Sequence, residues 1–135
     1  MSFLSYGQKM ETVYLNAQDS TTNMFVAVFP ESGQIKSLLI LLDGFGNSPE
    51  GVLFQTDIPK YASQKGMLTI IPLLKTGPSY FGSDADSQQS LKEIIDIVVT
   101  KYQLNGKDLY IGGFSIGGTC AVKYAELSIQ ENYTI

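Results

Sequence analysis

Ser115 lies between glycines on both sides, in the heptapeptide GGFSIGG of residues 112–118. A serine hydroxyl acts as a nucleophile when a base takes its proton and N–H groups stabilise the oxyanion that forms. The spacing Gly-x-Ser-x-Gly, here from Gly113 to Gly117, is typical of a sharp turn that lifts such a hydroxyl clear of a sheet. Histidine is the usual base, yet the 135 residues contain none. The sequence therefore predicts a nucleophile and leaves its proton acceptor unassigned.

The residues around Ser115 supply the context that this turn requires. Residues 108–114 (DLYIGGF) are typical of a buried strand, and residues 116–130 predict a helix. A side chain at Gly113 or Gly117 would collide with neighbouring backbone. The Ile116 N–H lies in the first helical turn, where the dipole favours negative charge, so it is the first predicted oxyanion donor. The alternative is an ordinary strand-to-helix turn in which Ser115 only caps the helix.

A second glycine-containing loop follows the apolar run SLLILL of residues 37–42. Its residues 43–47 read Asp-Gly-Phe-Gly-Asn, and the glycines allow backbone N–H groups to turn toward a ligand. We expect this loop to supply the second oxyanion donor, with the N–H of Phe45 as first choice and that of Gly46 as second. The alternative is that Asp43 and Gly44 merely form a turn.

Strand-like and helix-like patterns alternate along the chain. Strands are predicted at residues 10–15, 23–29, 37–42, 67–74 and 108–114, and helices at 49–65 (in two pieces), 86–102 and 116–130. The first two strands predict an antiparallel hairpin, and another strand is predicted to begin at Tyr133. The alternation indicates an α/β fold with a mostly parallel sheet and helices on both faces. Ligands bind such sheets at the carboxyl ends of the strands, where both glycine loops lie.

Individual residues predict how some of these helices and strands begin, end or pack. Asp57 is predicted to cap the second helical piece, while Asp84 and Asp86 are expected to cap the long helix rather than do chemistry. Pro72 indicates that the end of its strand is not paired on both sides. One apolar stripe predicts the buried face of the long helix: Leu91, Ile94, Ile95, Val98, Val99 and Tyr102.

Composition excludes several classes of protein. The net charge is −4 and all nine basic residues are lysine, which disfavours nucleic-acid binding. No segment approaches the roughly 18 continuous apolar residues of a membrane span, and the first residues lack a signal-peptide pattern, so a cytoplasmic protein is expected. The single cysteine, Cys120, cannot form an internal disulfide. No metal-ligand cluster is evident, and no cofactor is predicted.

The segments LLILLDGFGN and DLYIGGFSIGG resemble the α/β-hydrolase superfamily, most closely its esterase branches. In those branches the serine turn reads Gly-Gly-x-Ser-x-Gly-Gly. The resemblance implies a serine esterase that acts on a small-molecule ester through an acyl-enzyme, with Ser115 as nucleophile and Ile116 and Phe45 as oxyanion donors. Tyr80 and Phe81, in the long loop of residues 75–85 at the same edge, either line the substrate pocket or only close over the core.

The family's chain order, serine then acid then histidine, implies that both partners of Ser115 lie outside these 135 residues. We therefore expect residues 1–135 to be the N-terminal portion of a single domain whose later strands are missing. The strand of residues 108–114 would then be an exposed apolar edge, to be covered by the rest of the domain or by a second chain. The alternatives are a non-catalytic or binding protein of this fold, an acyltransferase and a peptidase.

Overall fold

Five strands and four helices make up the fold. The computed structural model describes residues 9–19, 21–44, 46, 48–77 and 82–133. In chain order the elements are β1 (Met10–Tyr14), β2 (Met24–Val28), β3 (Ser37–Leu42), α1 (Pro49–Gln55), α2 (Ile58–Gln64), β4 (Met67–Leu73), α3 (Ala85–Lys101), β5 (Asp108–Gly113) and α4 (Ile116–Gln130). These nine elements follow the predicted order, with bounds that differ by a residue or so.

The strands form one sheet in the order β1-β2-β4-β3-β5. β2 pairs antiparallel with both β1 and β4, whereas β3 pairs parallel with β4 and with β5. Among the described strands, β2 alone therefore runs against the others. The prediction of an N-terminal antiparallel hairpin joined to a mostly parallel sheet is confirmed.

Two apolar layers enclose the sheet. On one face α3 and α4 cover the side chains of Leu38, Ile40 and Leu68, which are fully buried. On the other face α1 covers Val26 and Ile71. The predicted stripe of α3 is buried from Leu91 to Val99. Burial of apolar surface on both faces explains why β2, β3 and β4 are nearly all apolar.

α3 is held at both ends. At its N-terminus the Asp84 carboxylate accepts the Ser87 N–H at 3.0 Å, as a capping residue should. At its C-terminus the Tyr102 hydroxyl donates to Glu11 of β1 at 2.8 Å, and the Tyr102 ring meets Phe29 edge-on with centroids 5.5 Å apart. These contacts direct the N-terminus of α3 toward the edge of the sheet that carries the two glycine loops.

Pro72 lies in the part of β4 that is paired with one neighbouring strand only. β4 pairs with β3 only as far as Ile70, whereas Pro72 lies opposite Phe25 of β2. The end of β4 is therefore paired on one side, as predicted, because proline has no N–H to donate to a second ladder.

Two details differ from the predictions, whereas the exposure of β5 agrees with one. Asp57 lies at the N-terminus of α2 but makes no side-chain capping bond; Thr56 Oγ1 accepts the Ile58 N–H at 3.1 Å instead. β5 is only half-buried and Tyr110 is 52% exposed, because β5 is the edge strand of the described sheet, as expected for residues 108–114 taken without later strands. Tyr133 lies outside any strand, and residues 134 and 135 are not among the described residues.

Candidate active site

Ser115 lies in the turn between β5 and α4 with an unusual backbone. Its φ is 52° and its ψ is −119°, a conformation that residues other than glycine rarely adopt and that costs on the order of 1–3 kcal/mol. The side chain is exposed and makes no capping bond, although Ser115 holds the N-cap position of α4. The alternative of a simple helix cap therefore does not hold, and the hydroxyl remains accessible.

The glycines on either side of Ser115 allow the turn to close. A Cβ added at Gly113 would lie 2.4 Å from the carbonyl carbon of Gly117. A Cβ added at Gly117 would lie 2.5 Å from the carbonyl oxygen of Asp43 and 2.6 Å from that of Leu42. Real Cβ atoms do not approach backbone so closely, so both positions require glycine, as the sequence predicted.

The same contacts join the two glycine loops. β3 and β5 are parallel neighbours with Leu42 opposite Gly113, and the Phe114 N–H donates to the Leu42 carbonyl at 3.1 Å. The loop of residues 43–48, called the β3–α1 loop below, therefore leaves the sheet beside the Ser115 turn. Parallel strands place their carboxyl ends at one edge, which explains how segments distant in sequence meet.

The structure describes two of the three predicted oxyanion donors, Ile116 and Gly46. Ile116 is the first residue of α4, and among the described residues no group accepts its N–H, as expected in a first helical turn. Gly46 is exposed, with a φ of 81° that glycine adopts without strain. Phe45 lies outside the described residues. The described backbone thus brings Ser115 and Ile116 to the edge at which the β3–α1 loop begins.

Asp43 is a buried polar residue whose environment was not predicted. It is 6% exposed, and its Oδ1 accepts the Gly44 N–H at 2.7 Å. Its Oδ2 lies 3.9 Å from where a Cβ of Gly51 would stand, in the first turn of α1. The sequence signal was its position directly after a buried apolar strand, which should have indicated that the carboxylate begins inside the fold.

The loop between β4 and α3 reaches the same helix. A Cβ on Gly82 would lie 3.0 Å from the Ile116 carbonyl oxygen and 3.1 Å from Cys120 Cβ. Gln88, 5% exposed, donates from Nε2 to the Gly82 carbonyl at 2.7 Å and to the Cys120 carbonyl at 3.0 Å. This bridging glutamine was missed, although it lies one step N-terminal to Leu91 on the predicted stripe. Tyr80 and Phe81 lie outside the described residues.

Cys120 is the other nucleophilic side chain near the turn, and its environment keeps it inert. It is fully buried in α4. Burial, with a smaller contribution from the Asp84 carboxylate, raises the pKa of the thiol to about 12. The reactive thiolate is therefore scarce near neutral pH. Of the two, Ser115 has the exposure that a nucleophile needs.

Within the described ranges, no three His, Cys, Asp or Glu side chains are grouped so that they could hold a metal ion. In the same ranges no helix is both long and apolar enough to cross a membrane.

The chain is similar to known proteins in its fold but not in its sequence. No protein-family profile matches the sequence, and no curated protein matches it. Solved structures do match. FphF, a fluorophosphonate-binding serine hydrolase of Staphylococcus aureus, superposes with a TM-score of 0.66 over 91% of this chain at 17% identity. The chain has an α/β-hydrolase-type fold.

Two further matches agree with that fold. An S-formylglutathione hydrolase of Agrobacterium tumefaciens has a TM-score of 0.66 at 13% identity, over 90% of this chain and 54% of its own. An acetyl xylan esterase of Aspergillus awamori has a TM-score of 0.65 at 14% identity, over 88% and 48%. This chain covers 53% of FphF, so it spans about half the length of these enzymes. The fold expected from the two glycine loops is confirmed.

Proposed function

We propose that the protein containing this chain is a serine esterase that hydrolyses small-molecule esters through an acyl-enzyme on Ser115. The observation that carries the proposal is the backbone of Ser115, with φ 52° and ψ −119°, in a turn closed by Gly113 and Gly117. Strain of this kind persists only where surrounding contacts impose it, and it concentrates at functional sites. The exposed hydroxyl and its place at the strand ends support the same role.

In the proposed reaction the Ser115 Oγ attacks the ester carbonyl carbon, and the carbonyl oxygen becomes an oxyanion. The N–H groups of Ile116 and Phe45, or of Gly46 in place of Phe45, donate to that oxyanion. A histidine takes the hydroxyl proton and passes it to the leaving alcohol as the tetrahedral intermediate collapses. Water, deprotonated by the same histidine, then attacks the acyl-enzyme, releases the acid and restores Ser115.

The base and its orienting acid belong, in this proposal, to residues outside the 135 given. The sequence contains no histidine, so no residue of the chain can serve as a histidine base. Residues 1–135 are proposed as the N-terminal portion of a single domain. Large exposed apolar side chains on its surface support this proposal: Tyr110 is 52% exposed, Val122 71% and Ile129 79%.

The substrate pocket is proposed to include Tyr80 and Phe81. Gly82, which follows them, lies against Ile116 and Cys120 in the first turns of α4. A loop that ends there would bring its aromatic side chains near Ser115. The proposed substrates are small esters, in keeping with the esterases and hydrolases that share the fold.

Labelling with a fluorophosphonate probe tests the function directly. Full-length protein should be phosphonylated at Ser115, as located by peptide mass spectrometry, and should hydrolyse p-nitrophenyl acetate. Ser115→Ala should abolish both, whereas Ser128→Ala, which changes an exposed serine near the end of α4, should retain both. Absence of labelling in the full-length protein, or labelling that survives Ser115→Ala, would overturn the enzyme proposal in favour of a non-catalytic protein of this fold.

A further inference from the structure

We propose that Asp43 is a positioning residue that orients the start of the β3–α1 loop, at the Asp43–Gly44 peptide, for oxyanion binding. This inference rests on the proposed function, because it assigns a role within the same site. It begins from the unusual burial of a carboxylate at the end of an apolar strand: Asp43 is 6% exposed, directly after Leu41 and Leu42, which are also buried. Burying a carboxylate is costly, so such a group is retained where it makes specific bonds.

The first contact of Asp43 fixes the start of the loop. Its Oδ1 accepts the N–H of the next residue, Gly44, at 2.7 Å. That bond directs the Asp43 side chain toward the next residue and holds the peptide between Asp43 and Gly44 in one orientation. The direction in which the loop leaves β3 is thereby set by the carboxylate.

A second relationship places the Asp43 carboxylate near the first turn of α1. Oδ2 lies 3.9 Å from the position that a Cβ of Gly51 would occupy, and Gly51 is in the first turn of α1. Ser48 caps that turn by accepting the Gly51 N–H. The carboxylate therefore lies between β3 and the helix to which the loop leads.

The third contact connects the loop to the nucleophile. The carbonyl oxygen of Asp43 is one of the atoms that a Cβ on Gly117 would meet, at 2.5 Å. Gly117 is two residues after Ser115 and one after Ile116. A rotation of the Asp43 peptide would thus alter the distance between Ile116 and the loop that carries the second donor. Oxyanion stabilisation depends on two donors at fixed separation, so Asp43 acts through backbone geometry rather than by touching the substrate.

Two substitutions separate the hydrogen bond from the charge. Asp43→Asn keeps a carbonyl oxygen that can accept the Gly44 N–H, whereas Asp43→Ala removes the acceptor. In full-length protein, Asp43→Ala should lower kcat for p-nitrophenyl acetate about 100-fold with KM changed less than about twofold. Asp43→Asn should restore kcat to within about fivefold of the wild type. Asp19→Asn, at an exposed carboxylate in the turn after β1 that also accepts a backbone N–H, is the matched control and should leave both constants unchanged.

A second measurement does not depend on activity. Hydrogen exchange of the Gly44 and Gly46 amides, followed by NMR, should accelerate in Asp43→Ala and remain close to the wild type in Asp43→Asn. If Asp43→Ala retained wild-type kcat, or if exchange at Gly44 and Gly46 were unchanged, the positioning role would be overturned. If wild-type protein were not labelled at Ser115, the proposed function would fail, and the exchange rates alone would decide whether Asp43 holds the loop.

Discussion

Gly117 of α4 lies against the backbone carbonyl of Asp43 so closely that a single added methyl group would stand 2.5 Å from its oxygen. This contact joins the turn that carries Ser115 to the loop proposed to complete the oxyanion site.

Gly117→Ala should destabilise the fold by about 3 kcal/mol or more, because the new methyl group meets rigid backbone at Asp43 and Leu42. Gly118→Ala is the matched control, since its Cβ would come no closer than 3.4 Å to the Gly113 carbonyl oxygen. That substitution lies within a helix and should be neutral or stabilising by up to about 1 kcal/mol. Urea unfolding of both variants measures the difference, and equal midpoints would contradict the close packing at Gly117.

Ser115→Gly should make the protein more stable by about 1 kcal/mol while abolishing phosphonylation. Glycine adopts φ 52° and ψ −119° without the strain that serine bears, and this relief exceeds glycine's extra freedom in the unfolded chain. Ser115→Ala removes the hydroxyl but keeps the strain, so its melting temperature should match the wild type. Should Ser115→Ala and Ser115→Gly melt together, strain at this position would be negligible.

Gln88→Met should cost about 1–3 kcal/mol, because the Gly82 carbonyl loses its donor inside the fold. Gln89→Met is the control: Gln89 is exposed, and its amide donates to Glu93 on the same helix. That change should stay within about 0.5 kcal/mol of the wild type. Thermal denaturation compares the two, and equal losses would mean that the buried bridge to α4 contributes nothing specific.

The free energy of unfolding should fall as pH rises above about 9. An unfolded thiol titrates near 9.0, whereas the pKa of the buried Cys120 thiol is about 12, so between these values unfolding releases a proton. The contribution of the buried, protonated Cys120 thiol to the free energy of unfolding is complete below pH 9 and is lost by about pH 12. Burial also raises the pKa of Tyr102 and Tyr124, which adds to the decline. Urea unfolding at a series of pH values measures this decline. In Cys120→Ala the free energy of unfolding should fall less steeply just above pH 9. An unchanged slope would exclude the thiol as the source of the decline.

Residues 1–135 expressed alone should self-associate. β5 is the edge strand of the described sheet, and its apolar side chain Tyr110 is half exposed. Val122 and Ile129 add exposed apolar surface on α4. Sedimentation velocity should show oligomers, and the fraction of protein in them should decrease in Tyr110→Lys. A monomer that unfolds cooperatively would contradict the proposal that these residues are part of a larger domain.

Local pattern was enough to predict the elements and their class. The stripe of α3 from Leu91 to Val99 repeats with the helical period, and β3 is apolar from Leu38 to Leu42, where most of its side chains are buried. Pro72 predicted a strand end paired on one side only, and Asp84 predicted a helix cap, because the chemistry of both residues acts within a few residues. The Gly-x-Ser-x-Gly spacing at Ser115 likewise predicted a turn that the structure contains.

Local pattern failed where the outcome depended on neighbours elsewhere in the chain. The residues of β5 are typical of a buried strand, and its exposure at the sheet edge was expected only from the family's chain order. Asp57 is a separate case, because the adjacent Thr56, and not a distant residue, accepts the helix N–H instead. The bridging role of Gln88 depends on α4, which lies far along the chain.

By itself, the sequence determined the alternating α/β elements and the presence of a glycine-flanked serine, because these follow from periodicity and from the few residues that permit sharp turns. The burial of Asp43 beside that turn and the strained conformation of Ser115 depend on contacts between elements distant in sequence. Both result from β3 and β5 lying side by side and in parallel, which brings Leu42 and Asp43 against Gly117. No local pattern contains that contact, since it arises when two distant strands share one sheet.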